Sequence, residues 1–374
     1  MLKLTGKVQN YAWGDTFSIS GLQGHTPTGQ PEAEVWFGAH PSAPSLTDEG
    51  PLDAVIAADP VGALGVEGTL PFLVKLLAAG QPLSIQAHPS IEQAEAGFAR
   101  EDAAGIPRDA AQRNYKDANH KPEILIALTP FRAMAGFSNL EETATLLDEL
   151  AVPQIEPARA LLIDDTVPTD QRLRTVLSDW LALEEPAPIV EAVLKRAAEL
   201  DSDVARNLVY IGEAFPGDVG VLAALLLNHV ELEPGQALFL PAGNMHAYLE
   251  GFGVEVMANS DNVLRGGLTE KHIDIDELKD IVIFEPIEDP VLEPVISDGE
   301  RATFFPVPVP DFAVTRYTGD GSAMFQGPAI VLAVAGVVHL GEGLVLGPGE
   351  AAFIAAKDGD VEARFDASDF FIIR

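Results

Sequence analysis

The chain contains no cysteine. Disulfides, thiolate metal sites and cysteine nucleophiles are therefore excluded, and any bound metal must be held through nitrogen and oxygen. Apolar runs of the roughly 18 residues that a membrane span requires are absent as well. The opening "MLKLTGKVQNYAWG" lacks the apolar stretch of a secretory signal, so a cytoplasmic location is expected. Basic residues are scarce: 23 Lys and Arg stand against 57 Asp and Glu, a formal charge of -34. Such a field repels nucleic acid and anionic lipid, so neither nucleic acid nor a membrane is an expected partner.

What remains is a chain of 374 residues, 47% of them hydrophobic, enough to fill the cores of two or three domains. In a chain this acidic, an anionic small substrate needs local cations, which draws attention to Lys75, Lys121, Arg265 and Lys271.

Up to about residue 137 the pattern is short, apolar and punctuated by Gly and Pro. The segments "AEVWFGAH", "PFLVKLL", "LSIQAH" and "PEILIAL" predict strands. In "SIEQAEAGFARED", Ser90 with Gln93 three residues later predicts a capped helix. From residue 139 to about 215 apolar residues recur every three or four positions behind acidic first turns, as in "NLEETATLLDEL" and "APIVEAVLKRAAEL". A helical block there interrupts strand-rich sequence on both sides, the mark of an insertion.

Strands return from about residue 219, with an internal echo. "ELEPGQALFLPAG" is repeated as "VLGPGEAAFIAAKDG", so that Pro234, Gly235, Ala237 and Phe239 recur as Pro348, Gly349, Ala351 and Phe353. A Pro-Gly turn, an alternating strand and a second Gly turn, found twice, point to two related β-barrel modules. In this alignment Asp360 and Glu362 stand where the first copy has His246 and Tyr248, so the second module is expected to lack a metal site.

Four polar residues interrupt apolar strand contexts: Gln86 and His88 in "SIQAHP", Glu123 in "NHKPEILIAL" and His246 in "PAGNMHAYLEG". Alternation along a strand puts Gln86 and His88 on the same side. Taken singly, each reads as an ordinary core or strand-end residue. Taken together, two imidazoles, a carboxylate and an amide oxygen suit a borderline ion such as Zn²⁺, which acts as a Lewis acid on a carbonyl or hydroxyl. Downstream, "GVEVMANSDNVLRGGLTEKH" adds Asp261, Asn262, Arg265 and Lys271 in the kind of loop that gathers at a barrel mouth.

The segments "YAWG", "AEVWFGAHPSAPS", "PFLVKLL", "LSIQAHPS", "NYKDANHKPEILIALTPF", "LPAGNMHAYLEG" and "SDNVLRGGLT" together resemble the type I mannose-6-phosphate isomerase family of the cupin superfamily. The resemblance implies interconversion of mannose 6-phosphate and fructose 6-phosphate. It implies one Zn²⁺ per chain held by Gln86, His88, Glu123 and His246, with Arg265 and Lys121 in catalysis. Lys75 and Ser84 are implied near the phosphate, with Lys271, Tyr248 and Asp261 as further substrate contacts. Lys121, Tyr248 and Asp261 stay open as the proton carrier. The implied architecture is mainly β: a catalytic cupin from residues 1–138 and 217–290, a helical insertion at 139–216 and a metal-free cupin at 291–374. A monomer with a small phosphosugar substrate is expected. Two departures from the family pattern, Ser138 after "GF" and Glu270 before Lys271, touch no proposed ligand. Other readings of the same residues are an isomerase of broader phosphosugar specificity, an Fe(II) cupin oxygenase and a non-catalytic sugar-binding bicupin.

Overall fold

The computed structural model describes residues 1–297, 299 and 301–374. The architecture is mainly β, with multiple sheets. One sheet runs in the order Val291–Leu292, Ala237–Leu240, Glu123–Ala127, His246–Ala258, Phe72–Ala79, Glu34–Gly38, Lys7–Gln9. A second runs Leu2–Leu4, Ala351–Ile354, Ala329–Leu340, Asp360–Ile373, Val314–Gln326, Ala302–Phe305, Val295–Ser297. The first strand of the chain thus pairs with Ala351–Ile354 near its end, a crossing that the sequence pattern does not foresee.

Side-chain parity organises the first sheet. Val74, Leu76, Ile124, Ile126, Val254 and Val256 pack against Ile330, Leu332, Phe353 and Phe371 of the second sheet in one continuous apolar core. The alternate positions face the other way, and among them are Lys75, Glu123 and Glu255. Because both faces are covered, Phe72–Ala79 is buried at every position.

The long strand His246–Ala258 carries the site across a bend. Its first residues pair with Phe131–Phe137, while Gly251 to Ala258 pair with Phe72–Ala79. Gly251 makes the bend, at φ +138 and so near Phe131 that a Cβ would lie 2.5 Å from that ring.

Between Phe131–Phe137 and Leu227–Leu232, which pair with each other, lie the helices Leu140–Leu150, Glu156–Leu162, Thr169–Leu181, Ala187–Ala197 and Asp203–Ala214. Asn139 caps the first, its Oδ1 accepting from Glu141 N at 2.8 Å. These helices pack on the outward residues of the site strands, Ile85, Ala87, Ala247 and Leu249. That leaves the alternate residues Gln86, His246 and Tyr248 on the opposite face of their strands. The helix Ile91–Ala103 opens with the capping box of Ser90 and Gln93 that the spacing predicts.

Candidate metal centre and substrate site

His88, Glu123 and His246 converge: each offers one ligand atom, and all three atoms lie within 4.8 Å of one another, buried. It is the one such group of His, Asp and Glu among the described residues. Glu123 Oε2 stands 3.5 Å from His88 Nε2 and 3.3 Å from His246 Nε2.

The other ring nitrogens explain the orientation. His88 Nδ1 bonds Asn262 O at 2.7 Å and His246 Nδ1 bonds Asn244 O at 3.0 Å. A carbonyl only accepts, so each Nδ1 carries the proton and each Nε2 turns a lone pair toward Glu123. Metal-binding histidines are held in this manner. His88 Nε2 has no hydrogen-bond partner although it is buried, which costs free energy unless a ligand satisfies it. The donor set fits Zn²⁺ on that ground.

Electrostatics keep the donors in their binding forms. Burial, helped by the Lys121 ammonium, pushes the His88 pKa down to about 4, so the ring is neutral at pH 7. Burial alone would raise Glu123, but opposing charge, foremost the Lys121 ammonium, outweighs it and holds the carboxyl well below the usual range. Lys121 Nζ is 2.8 Å from Glu123 Oε1.

Gln86 is placed by strand pairing, opposite His246 on one side and Arg265 on the other. Its amide nitrogen points to Ser84 Oγ at 3.4 Å. Arg265 is partly buried, its pKa lowered by burial, and makes no ion pair among the described residues. Lys271 is lowered too, by Arg265 first, then by burial and by Lys116. Three cations with no carboxylate partner among the described residues therefore gather in a strongly acidic chain, which leaves their charge for an anionic ligand.

Lys75 lies elsewhere in character. Instead of an open phosphate contact it is a buried ion-paired group, 2.7 Å from Glu255 and 3.4 Å from Glu34. Its pKa is raised because these carboxylates and Glu123 outweigh burial. Tyr248 donates its hydroxyl proton to Glu255 at 2.8 Å, and burial with the nearby carboxylates pushes its pKa well up. It stays protonated. Asp261 is half-exposed, its side chain 46% accessible, and lies 3.7 Å from His40 Nε2.

Sequence reasoning passed over Glu34, Glu255 and Lys116, and named Asn262 only as a polar loop residue. The rule that found Glu123, a lone charge in an apolar strand, also applies to Glu34 in "AEVWF" and Glu255 in "GVEVMA". The structural role of Asn262 carried no such signal. Fully buried, the residue accepts from Lys116 N at 2.7 Å and donates to Asp117 O and Asn119 O at 2.9 Å, while its carbonyl holds His88.

A family profile described as phosphomannose isomerase type I, catalytic domain, matches residues 1–140. The mannose-6-phosphate isomerase of Escherichia coli K12 is 44% identical, with 97% of each chain covered. That of Rattus norvegicus is 34% identical over 95% of this chain and 89% of its own. Among solved structures, a mutant phosphomannose isomerase from Salmonella typhimurium superposes with a TM-score of 0.92 at 42% identity, covering 100% of this chain and 98% of that one. A zinc-bound mannose 6-phosphate isomerase superposes at 0.91 and 42% identity, covering 99% and 98%. With sequence shared over nearly the whole length and the buried donor set in place, this chain belongs to the type I phosphomannose isomerase family.

Proposed function

We propose that this chain interconverts mannose 6-phosphate and fructose 6-phosphate, with one Zn²⁺ held by His88, Glu123, His246 and Gln86. The observation that carries the reading is a group of cations, Arg265, Lys271 and Lys116, without a carboxylate partner among the described residues, joined to a buried His-Glu-His set through the pairing of Arg265 with Gln86 and of Gln86 with His246. As a member of its family the chain is a zinc-dependent mannose-6-phosphate isomerase acting on a small phosphosugar.

Isomerisation moves hydrogen between C1 and C2 of the opened sugar, and proton removal beside a carbonyl builds negative charge on oxygen. When bound, zinc supplies Lewis-acid polarisation of a sugar oxygen. Arg265, next to Gln86 in the strand pair, presents a partly desolvated guanidinium to the developing oxyanion. Lys271 and Lys116 meet the phosphate dianion, a role that passes to Lys116 because the charge of Lys75 is already matched by Glu34 and Glu255. Ser84 offers a hydroxyl beside Gln86. Lys121, fixed on Glu123, donates from the wall. Of the proton carriers, Tyr248 is held as a donor and Lys121 is ion-paired, which leaves Asp261, a half-exposed carboxylate 3.7 Å from His40 Nε2.

The sheets at either side of the inter-sheet core are read as two cupin-type modules, residues 1–138 with 217–290 and residues 291–374. The helices of 139–216 are an insertion, supported by the pairing of the strands that flank them. No helix among the described residues is long and apolar enough to cross a membrane. We assign a monomer in the cytoplasm.

The decisive assay is ketose formation from mannose 6-phosphate by the purified chain, before and after chelation and after zinc is restored. Absence of turnover with zinc fully bound would defeat the proposal.

A further inference from the structure

The loop that carries Arg265 and Lys271 has like charges to hold together, since Arg265 depresses the pKa of Lys271. Left free, such a loop relaxes by moving them apart. It is pinned on two sides. Toward the metal centre, Gly266 N–H donates to Ile85 O at 2.9 Å and Ile85 N–H donates to Gly267 O at 3.1 Å. On the opposite side stands Asp218, at the end of the helical block. Its Oδ1 accepts from Gly220 N at 2.7 Å and from Leu268 N at 2.8 Å, and its Oδ2 accepts from Thr269 N at 3.1 Å. Thr269 Oγ1 in turn accepts from Lys271 N at 3.0 Å.

Two features mark this contact as a constrained one. Gly220 and Gly267 touch backbone to backbone, so that a Cβ on Gly220 would lie 2.3 Å from Leu268 N and a Cβ on Gly267 would lie 2.3 Å from Gly220 Cα. Leu268 holds φ +54, a left-handed conformation unfavourable for a branched side chain, while buried in the core of the helices. A backbone kept there must be over-determined by its surroundings, and the Asp218 carboxylate bonds the amides of Leu268 itself and of the residue after it.

We infer that Asp218 is a positioning residue for catalysis: the helical block, through this carboxylate, sets the loop so that Arg265 and Lys271 present their charge together to the anionic substrate. The inference rests on the reading that Lys271 meets the phosphate. If Asp218 only capped the five-residue helix Gly220–Ala224, its loss would lower stability and leave substrate affinity alone.

The test uses the full-length, zinc-loaded enzyme. Asp218→Ala should raise KM for mannose 6-phosphate about tenfold or more and weaken competitive inhibition by inorganic phosphate by a similar factor. Zinc content should stay at the wild-type level and kcat should change less than KM. Asp218→Asn, which puts an N–H group against Thr269 N–H, should fall between. Should Asp218→Ala fail to fold, Gly267→Ala drives the same loop off Gly220 from the other side and should reproduce the KM effect. Lys271→Ala checks the underlying reading: if it leaves KM unchanged, the phosphate assignment fails. If Lys271→Ala raises KM while Asp218→Ala and Gly267→Ala leave it unchanged, the positioning role alone is overturned. In the double variant, Asp218→Ala should add little to Lys271→Ala, whereas fully multiplicative effects would mean that Asp218 does not act through Lys271.

Discussion

Gln86 and Arg265 are cross-strand partners in the short antiparallel pair formed by residues 86–87 and 264–265, and His246 pairs with Gln86 from the other side. A proposed ligand strand is thereby wedged between a second proposed ligand and the guanidinium. A change that shifts the strand should disturb the proposed metal and oxyanion contacts together, whereas a side-chain change at one position should separate them.

His246→Ala should remove most of the zinc, because a buried imidazole with its Nδ1 fixed on Asn244 O gives a direct bond that water replaces poorly. Metal content by elemental analysis and turnover should fall together. Full occupancy in this variant would refute its role as a ligand.

Arg265→Ala should retain zinc and lose kcat by roughly 10² to 10³, since one donor at a developing oxyanion is worth about 3 to 4 kcal/mol. Arg265→Lys should recover only part of this, as an ammonium lacks the planar fork of donors. A raised KM with kcat nearly intact would instead assign Arg265 to the phosphate.

Asp360→Ala should leave zinc content and turnover nearly unchanged. Asp360 aligns with His246 in the internal sequence echo, yet it is exposed and accepts a bond from Gln326 at 2.7 Å. Loss of half the metal would reveal a second site.

Lys75→Met should destabilise the fold by about 3 to 5 kcal/mol, because it strips the counter-charge from two buried carboxylates, Glu34 and Glu255. Denaturant titration of the zinc-loaded protein measures this. Adding Glu255→Gln should restore part of the loss, and failure to do so would mean that the ion pair is not the source.

His229 gives a pH dependence outside the site. Its Nε2–H donates to Ala224 O at 3.1 Å and its Nδ1 accepts from Asn207 Nδ2 at 3.3 Å, so both nitrogens are matched only in the neutral ring. Burial pushes its pKa down to about 4, with the Ala224 bond partly opposing. The unfolded chain binds this proton near pH 6.5, so the contribution is complete above about pH 6.5 and is lost as pH falls toward 4. His229→Gln should flatten the fall in stability across that window by up to about 3 kcal/mol. An unchanged pH profile would show that the ring is not held neutral.

Much of this protein is decided locally. The capping box at Ser90, the periodicity of Leu140–Leu150 and the lone polar residues in apolar strands are properties of neighbouring residues, and they pointed to the helices and to Glu123 and His246 directly. Strand alternation likewise put Gln86 and His88 on one side. It does not say which face meets what. That Lys75 falls between Glu34 and Glu255 depends on Trp36 and Glu255 being its partners in adjacent strands, 39 and 180 residues away in sequence (75 − 36 and 255 − 75). The role of Asn262 was hidden for the same reason. Its value lies in a carbonyl that meets His88 and an amide that meets residues 116–119, and neither partner leaves a trace in the residues beside it. So too with Asp218, whose carboxylate is ordinary in "PGDVG" and becomes a clamp only where the helices bring it to the backbone of Leu268 and Thr269. Element types, the acidic field and the candidate donor chemistry follow from residue type and short-range spacing, and so are legible along the chain. Which charges are neutralised and which lack a carboxylate partner among the described residues follows from the packing of strands and loops far apart in the chain, because charge pairing depends on distance in space.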